Sequence, residues 1–169
     1  MSHLPSNSAG PIGPEALGQL LERHGAALAL YARQLCAIPD DVVQETFIAL
    51  AREPRAPESP VAWLFRCVRN RALTAARARR RRERHEMAAA EVRATWFAPA
   101  AETPLDGAAA TAALAELPEG QREVIVARLW GGLTFAEIAE LMKTSPSVVH
   151  RTYVSGLTAL RQRLGAVNR

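Results

Sequence analysis

With 169 residues, a formal charge of +4 and a pI near 9.8, the chain has room for one ordinary domain or two small ones and points to an anionic partner. Hydrophobic residues make up 49% of the sequence but aromatic residues only 5%, so alanine-rich helical cores are easier to fill than a sheet, and an all-β fold is disfavoured. No apolar run approaches the ~20 residues of a membrane span, and Met1 to Pro14 lacks the basic start and apolar centre of a secretion signal, so the expected compartment is the cytoplasm.

Residues 1–14 read as a disordered tail rich in glycine, proline and polar side chains. Glu15 to Cys36 carries Leu17, Leu20, Leu21, His24, Leu28, Tyr31 and Leu35 at steps of three and four, the spacing of an amphipathic helix. Pro39 is expected to close the connection that follows. Asp40 and Asp41 then start a second helix, where carboxylates suit the N-terminal dipole, with Val43, Phe47 and Leu50 as its buried stripe. A proline-containing loop spans Arg52 to Ser59. Ser59 and Pro60 open a third helix, which runs through Trp63, Leu64, Val68, Ala72 and Ala75 into a run of arginines. These three helices form one unit over residues 15–86.

Residues 87–103 read as a flexible linker in which the helical period fades and Trp96 and Phe97 stand as isolated aromatics. A second unit over 104–169 is predicted as four helices, Leu105–Leu117, Pro118–Leu129, Thr134–Met142 and Pro146 to about Leu164. Gly131 and Gly132 end one of them, and Thr134 with Glu137 forms a capping box for the next. The expected fold is all-α, two small helical domains on a linker.

Charge is concentrated in one place. From Arg66 to Arg84 nine arginines face a single carboxylate, Glu83, a local net of +8, while the remainder of the chain sums to −4. No carboxylate lies between Arg66 and Arg82 to pair with them along the helix, so phosphates are the favoured counter-ions and nucleic acid the favoured partner. An acidic protein or an anionic membrane surface would suit the same charge less well.

Thr134 to Tyr153 carries the strongest local pattern. Ile138 and Met142 share one face, Ala139 is small enough for a close helix crossing, and Val149 and Tyr153 turn inward from the next helix. A short turn between two steeply crossing helices is a helix-turn-helix, whose second helix enters a major groove. Its exposed face would carry Ser147, Val148, His150, Arg151 and Thr152. Arg151 can pair bidentately with guanine, and Ser147 or His150 can reach base edges or phosphate. A helical hairpin with no DNA role is the plainer alternative.

The string Asp40-Asp41-Val42-Val43-Gln44-Glu45-Thr46-Phe47, followed by Pro60 to Asn70 and the arginine run, resembles region 2 of bacterial sigma factors. Leu117 to Val124 with the helix-turn-helix resembles their region 4. With only a linker between the two, the chain resembles the extracytoplasmic-function (group 4) sigma-70 family over about Leu20 to Leu164. The resemblance implies that region 2 docks on core RNA polymerase at its clamp helices through Asp41, Gln44, Glu45 and Thr46. It further implies that the −10 element is opened and held by Arg55, Ser59, Trp63, Arg66, Arg69, Asn70, Arg77, Arg80 and Arg81, where stacking faces and guanidiniums suit single-stranded DNA. Region 4 would read the −35 element through Ser147, Val148, His150, Arg151 and Thr152, next to the polymerase flap. An anti-sigma factor is a further partner compatible with the family.

Three features qualify that reading. Trp63, spaced with Leu64 and Val68, also reads as a core residue. Lys143 stands where the family usually has a turn glycine, which costs ~1 kcal/mol if the backbone there is left-handed. Thr152, Val154, Ser155 and Gly156 replace the basic residues common after Arg151, so a lighter grip on the −35 side is expected.

No enzymatic constellation is visible. His3, His24, His85 and His150 are scattered without a nucleophile, glycine-rich phosphate loop or carboxylate cleft. Cys36 and Cys67 lack metal-ligand spacing and read as reduced core thiols. No cofactor, metal or small-molecule substrate is expected. A two-domain helix-turn-helix regulator that does not join the polymerase is the alternative function, and a protein-interaction module the third.

Overall fold

A computed structural model describes residues 10–87 and 112–167 of the chain. The expected linker, with Trp96 and Phe97, and most of the tail lie outside the described residues. Among the described residues every regular element is a helix.

Helix α1, Pro14–Arg33, begins with Pro14 at its first turn after an extended Gly13, where the missing N–H costs nothing. It ends as the Gln34 N–H turns back onto the Tyr31 carbonyl. Helix α2, Pro39–Arg52, starts one residue earlier than expected. Pro39 opens the helix instead of closing the connection, because its fixed φ suits a first turn. Val42, Val43, Thr46, Phe47 and Leu50 are buried along α2. Helix α3, Pro60–Met87, continues unbroken for 28 residues, so the whole arginine run is helical. Leu64, Phe65, Val68 and Ala72 have no exposed surface.

The second unit opens with α4, helical over residues 112–115. It continues through α5 (Glu119–Leu129), α6 (Phe135–Met142) and α7 (Pro146–Val167). The capping box at α6 is complete: the Glu137 N–H donates to Thr134 Oγ1, and Glu137 Oε2 accepts from the Thr134 N–H at 2.8 Å. Gly156 lets α7 cross close to α5, since a Cβ there would stand 2.9 Å from Ile125 Cδ1 and 3.1 Å from Gln121 Cβ.

The sequence leads one to expect a core within each unit, and the structure adds a shared one. Leu28, Tyr31, Leu64, Phe65 and Val68 from α1 and α3 belong to the same buried cluster as Val124, Val126, Ala127, Leu133 and Ile138 from the second unit. A smaller cluster of Ala113, Leu114, Leu117, Ile125 and Leu160 lies inside the second unit alone. Helix α1 packs on α5 and α3 on α6. The apolar surface of α5 explains this, because Val124 to Ala127 are buried in succession around the helix and one neighbour cannot cover every face.

Leu21 departs from its expected place in the α1 stripe and is 51% exposed. Gly25 and Ala29, one and two turns on, leave an open groove of about 430 Å³ between α1 and α2. Leu21 borders that groove together with Ile48 and Gln44.

Candidate functional site

Three surfaces carry the sequence-predicted residues. On α2, Asp41, Gln44 and Glu45 are exposed, whereas Thr46 is fully buried and donates its hydroxyl to the Val42 carbonyl at 2.7 Å. Thr46 therefore does not contribute to an outward docking face. A threonine inside a helix satisfies its hydroxyl on the backbone four residues back, which lets it sit among apolar neighbours. Glu45 is held from the next helix by Arg71, whose Nη1 donates to Glu45 Oε2 at 3.0 Å.

On the preceding loop and α3, Arg55, Ser59, Arg66, Asn70, Arg77, Arg80 and Arg81 are exposed, and Trp63 is half-buried against the core. Arg69 is different: it turns toward the second unit and donates from Nε to Glu123 Oε1 at 2.5 Å. The local charge count leaves the ridge with Glu83 alone, which pairs with Arg79 along the helix, but two acids distant in sequence also reach it: Arg69 meets Glu123 and Arg71 meets Glu45. Arg66, Arg77, Arg80 and Arg81 keep their guanidiniums at the surface. The lower half of α3 thus remains a cationic face, while part of its upper half is covered.

On the helix-turn-helix, Ile138, Ala139 and Val149 are buried and fix the crossing of α6 and α7. Ser147, Val148, His150 and Arg151 are exposed at the start of α7, with Thr152 half-buried. Phe135 organises the base of this surface. Its ring meets the edge of His150 at 5.2 Å and of Tyr153 at 5.4 Å between centroids, and Arg128 stacks 4.8 Å above it. Ser145 caps α7 by accepting from the Val148 N–H at 3.4 Å. Lys143 is in the left-handed region, with φ 54° and ψ 50°, as its place in the turn leads one to expect.

The charge centre between the two units is the part that sequence reading did not find. Glu123 is only 3% exposed, and its Oε1 accepts from both the Tyr31 hydroxyl and Arg69 Nε, each at 2.5 Å. Burial, followed by the Glu123 carboxylate, pushes the Tyr31 phenol well above its ordinary pKa. Burial opposes the charge on Arg69, and the hydrogen bond and charge of Glu123 outweigh it, raising its pKa. At a second point Ser59 Oγ donates to Glu137 Oε1 at 3.0 Å. At a third, Gly131 lies under the Phe65 ring so closely that a Cβ would stand 2.6 Å from Phe65 Cζ. A glutamate at the head of the apolar run Val124-Ile125-Val126-Ala127 is the signal that could have marked Glu123, since a buried carboxylate needs a paired cation.

Cys36 and Cys67 are half-buried free thiols, both raised in pKa first by burial. His24 is also half-buried, and burial, then Arg23, lowers its pKa. Among the described residues no group of three or more His, Cys, Asp or Glu is placed to hold a metal ion, and no helix is long and apolar enough to cross a membrane.

Comparison with known proteins matches residues 20–82 to the model of Sigma-70 region 2 and residues 108–160 to that of Sigma-70 region 4. The chain is 47% identical over 75 residues to the RNA polymerase sigma factor CnrH of Cupriavidus metallidurans, a match covering 40% of this chain and 39% of that protein. It therefore spans well under half the length of this curated relative in that match. Among solved structures it is similar to CnrH in complex with the cytosolic domain of CnrY, with a TM-score of 0.58 and 31% identity over 91% of this chain and 90% of that one. The fold also resembles that of the sigma factor RpoE in complex with the anti-sigma factor NepR from Bartonella quintana. There the TM-score is 0.67 at 22% identity, over 93% of this chain and all of the other.

Proposed function

The chain belongs to the sigma-70 family of RNA polymerase sigma factors, in the two-region arrangement of the extracytoplasmic-function group, and from that premise we propose that it binds core RNA polymerase and directs promoter-specific initiation. The observation that carries this reading is that one chain presents an exposed cationic face on α3 and an exposed helix-turn-helix face on α7, beside a polar face on α2. In this reading Asp41, Gln44 and Glu45 dock on the polymerase clamp helices, with region 4 beside the flap. Ser147, Val148, His150, Arg151 and Thr152 hold the −35 duplex. Arg55, Ser59, Trp63, Arg66, Arg69, Asn70, Arg77, Arg80 and Arg81 hold the opened −10 strand. The protein catalyses no step, and the polymerase performs the chemistry.

Flipping a base out of the stack costs a few kcal/mol, which a base pocket and arginine–phosphate pairs on α3 would offset. Two separate contacts to DNA, each weak alone, become strong once the polymerase holds both lobes to one promoter. Such a protein acts in the cytoplasm, where an anti-sigma factor, the kind of partner seen with the structurally similar RpoE, would cover the same surfaces.

The test is run-off transcription by bacterial core polymerase on a pool of templates with randomised upstream duplex. Specific initiation is expected with the wild-type chain and a loss of at least about tenfold with Gln44→Ala/Glu45→Ala, equivalent to about 1.4 kcal/mol of docking energy. Initiation unchanged by that pair would remove the α2 docking face. Absence of initiation in every case would remove the sigma-factor activity itself.

A further inference from the structure

We infer that α7 selects its DNA through thymine methyl groups: Val148 and Val154, on either side of Arg151, contact the C5-methyls of A·T pairs that flank a guanine held by Arg151. This rests on the function proposed above and names the bases its −35 surface selects, with Val154 as a further specificity-determining residue.

Steps of three residues turn an α-helix by about 300°, so Val148, Arg151 and Val154 fan across about 120° of one face, with the buried Val149, Gly156 and Leu160 behind them. Val148 is 38% and Val154 49% exposed, and among the described residues of α7 they are the large apolar side chains left at the surface. One exposed valine is ordinary. Two that bracket an exposed arginine on the outward arc of a recognition helix form a pattern that matches base edges.

The polar side chains nearest Arg151 on this arc are short and already engaged. Ser155 Oγ accepts from Gln121 Nε2 at 3.2 Å, and Ser147 Oγ lies 3.0 Å from Ser145 Oγ at the start of the helix. His150 is set against the Phe135 ring. The groups free to meet a base are therefore one guanidinium and two branched apolar chains. In the major groove guanine offers the paired acceptors N7 and O6 to arginine, and thymine offers a methyl to an apolar chain. Val148 and Val154 are separated by about 9 Å of helix rise, close to three base-pair steps of about 3.4 Å, so both methyls and the guanine fall within one short run of duplex. Because Thr152, Ser155 and Gly156 add no charge beside Arg151, apolar contact contributes more here than phosphate pairing.

The experiment takes promoters recovered in the run-off assay and rebuilds their upstream duplex with deoxyuridine in place of thymine. This removes the C5-methyls and leaves the hydrogen-bonding edges unchanged. Wild-type initiation with core polymerase should fall about three- to fourfold for each methyl in contact, and about tenfold for two. Val148→Ala/Val154→Ala should initiate more weakly than the wild type on thymine templates and equally on both kinds. Both valines are exposed, and an unchanged denaturant midpoint checks that the variant folds. The inference is overturned if the wild type does not distinguish the templates, or if the double variant keeps the wild-type ratio between them, which would place the valines against protein and not DNA. A second arm needs no polymerase: duplexes bound by the full chain at low salt are enriched from a random pool. Thymine beside guanine should be enriched by the wild type and not by the double variant, and enrichment without thymine overturns the inference. Thymine-dependent enrichment without initiation on any template would support the valine contacts and overturn the sigma-factor activity instead.

Discussion

Lys143 and Glu137 show how single residues set the helix-turn-helix. Lys143 ends α6 in the left-handed conformation, and the Lys143 and Thr144 N–H groups close on the Glu140 and Ala139 carbonyls. Left-handed backbone costs a residue with a Cβ ~1–2 kcal/mol, and glycine gives back part of that gain through a more disordered unfolded chain. Lys143→Gly is therefore expected to raise stability by about 0.5–1 kcal/mol, read as a higher denaturant midpoint. At Glu137 the Thr134 backbone N–H lowers the carboxyl pKa, burial opposes it, and the Thr134 and Ser59 hydroxyls add to the lowering. The sign follows from linkage. A carboxyl with a depressed folded-state pKa contributes stability above its ordinary pKa and loses it as pH falls through the depressed value. Denaturant midpoints from roughly pH 6 down to pH 3 should fall more steeply for the wild type than for Glu137→Gln; equal slopes would show that the charge on Glu137 contributes nothing.

At the scale of the element, α3 and α6 owe their form to different causes. Helix α3 keeps its arginines in helical register because Leu64, Phe65, Val68 and Ala72 anchor one stripe in the core while the charged residues project elsewhere. Helix α6 has only eight residues, too few to be stable alone, so its capping box and its packing on α7 and α3 must supply the difference. Thr134→Ala is expected to cost about 1 kcal/mol in thermal or denaturant unfolding, the ordinary worth of a side-chain cap. Both the cap and the helix were legible in Thr134, Glu137 and the Ile138–Met142 spacing. So was the buried stripe of α2 at Val43, Phe47 and Leu50, but not at Val42 or at Thr46, whose polarity suggested surface although its hydroxyl is satisfied within its own helix.

Among the described residues the arginines of α3 divide into a paired set and an open one. Arg69 and Arg71 are paired with acids brought from other helices, and the exposed cluster of Arg77, Arg80 and Arg81 remains available to phosphate. Replacing all three of the latter by alanine should weaken binding to a single-stranded oligonucleotide and lower the slope of log affinity against log salt by about 2, at ~0.7 per phosphate contact. An unchanged slope would place the phosphate contacts elsewhere on the chain. Helix count, helix caps, the helix-turn-helix and the concentration of positive charge were all determined by the amino-acid sequence, because each depends on residues within a few turns of one another. The pairing of Glu123 with Tyr31 and Arg69, 92 and 54 residues away in the chain, was decided only when the two units packed together. Local spacing carries no information about which distant carboxylate will meet a guanidinium; that depends on how α5 finds cover for its apolar sides.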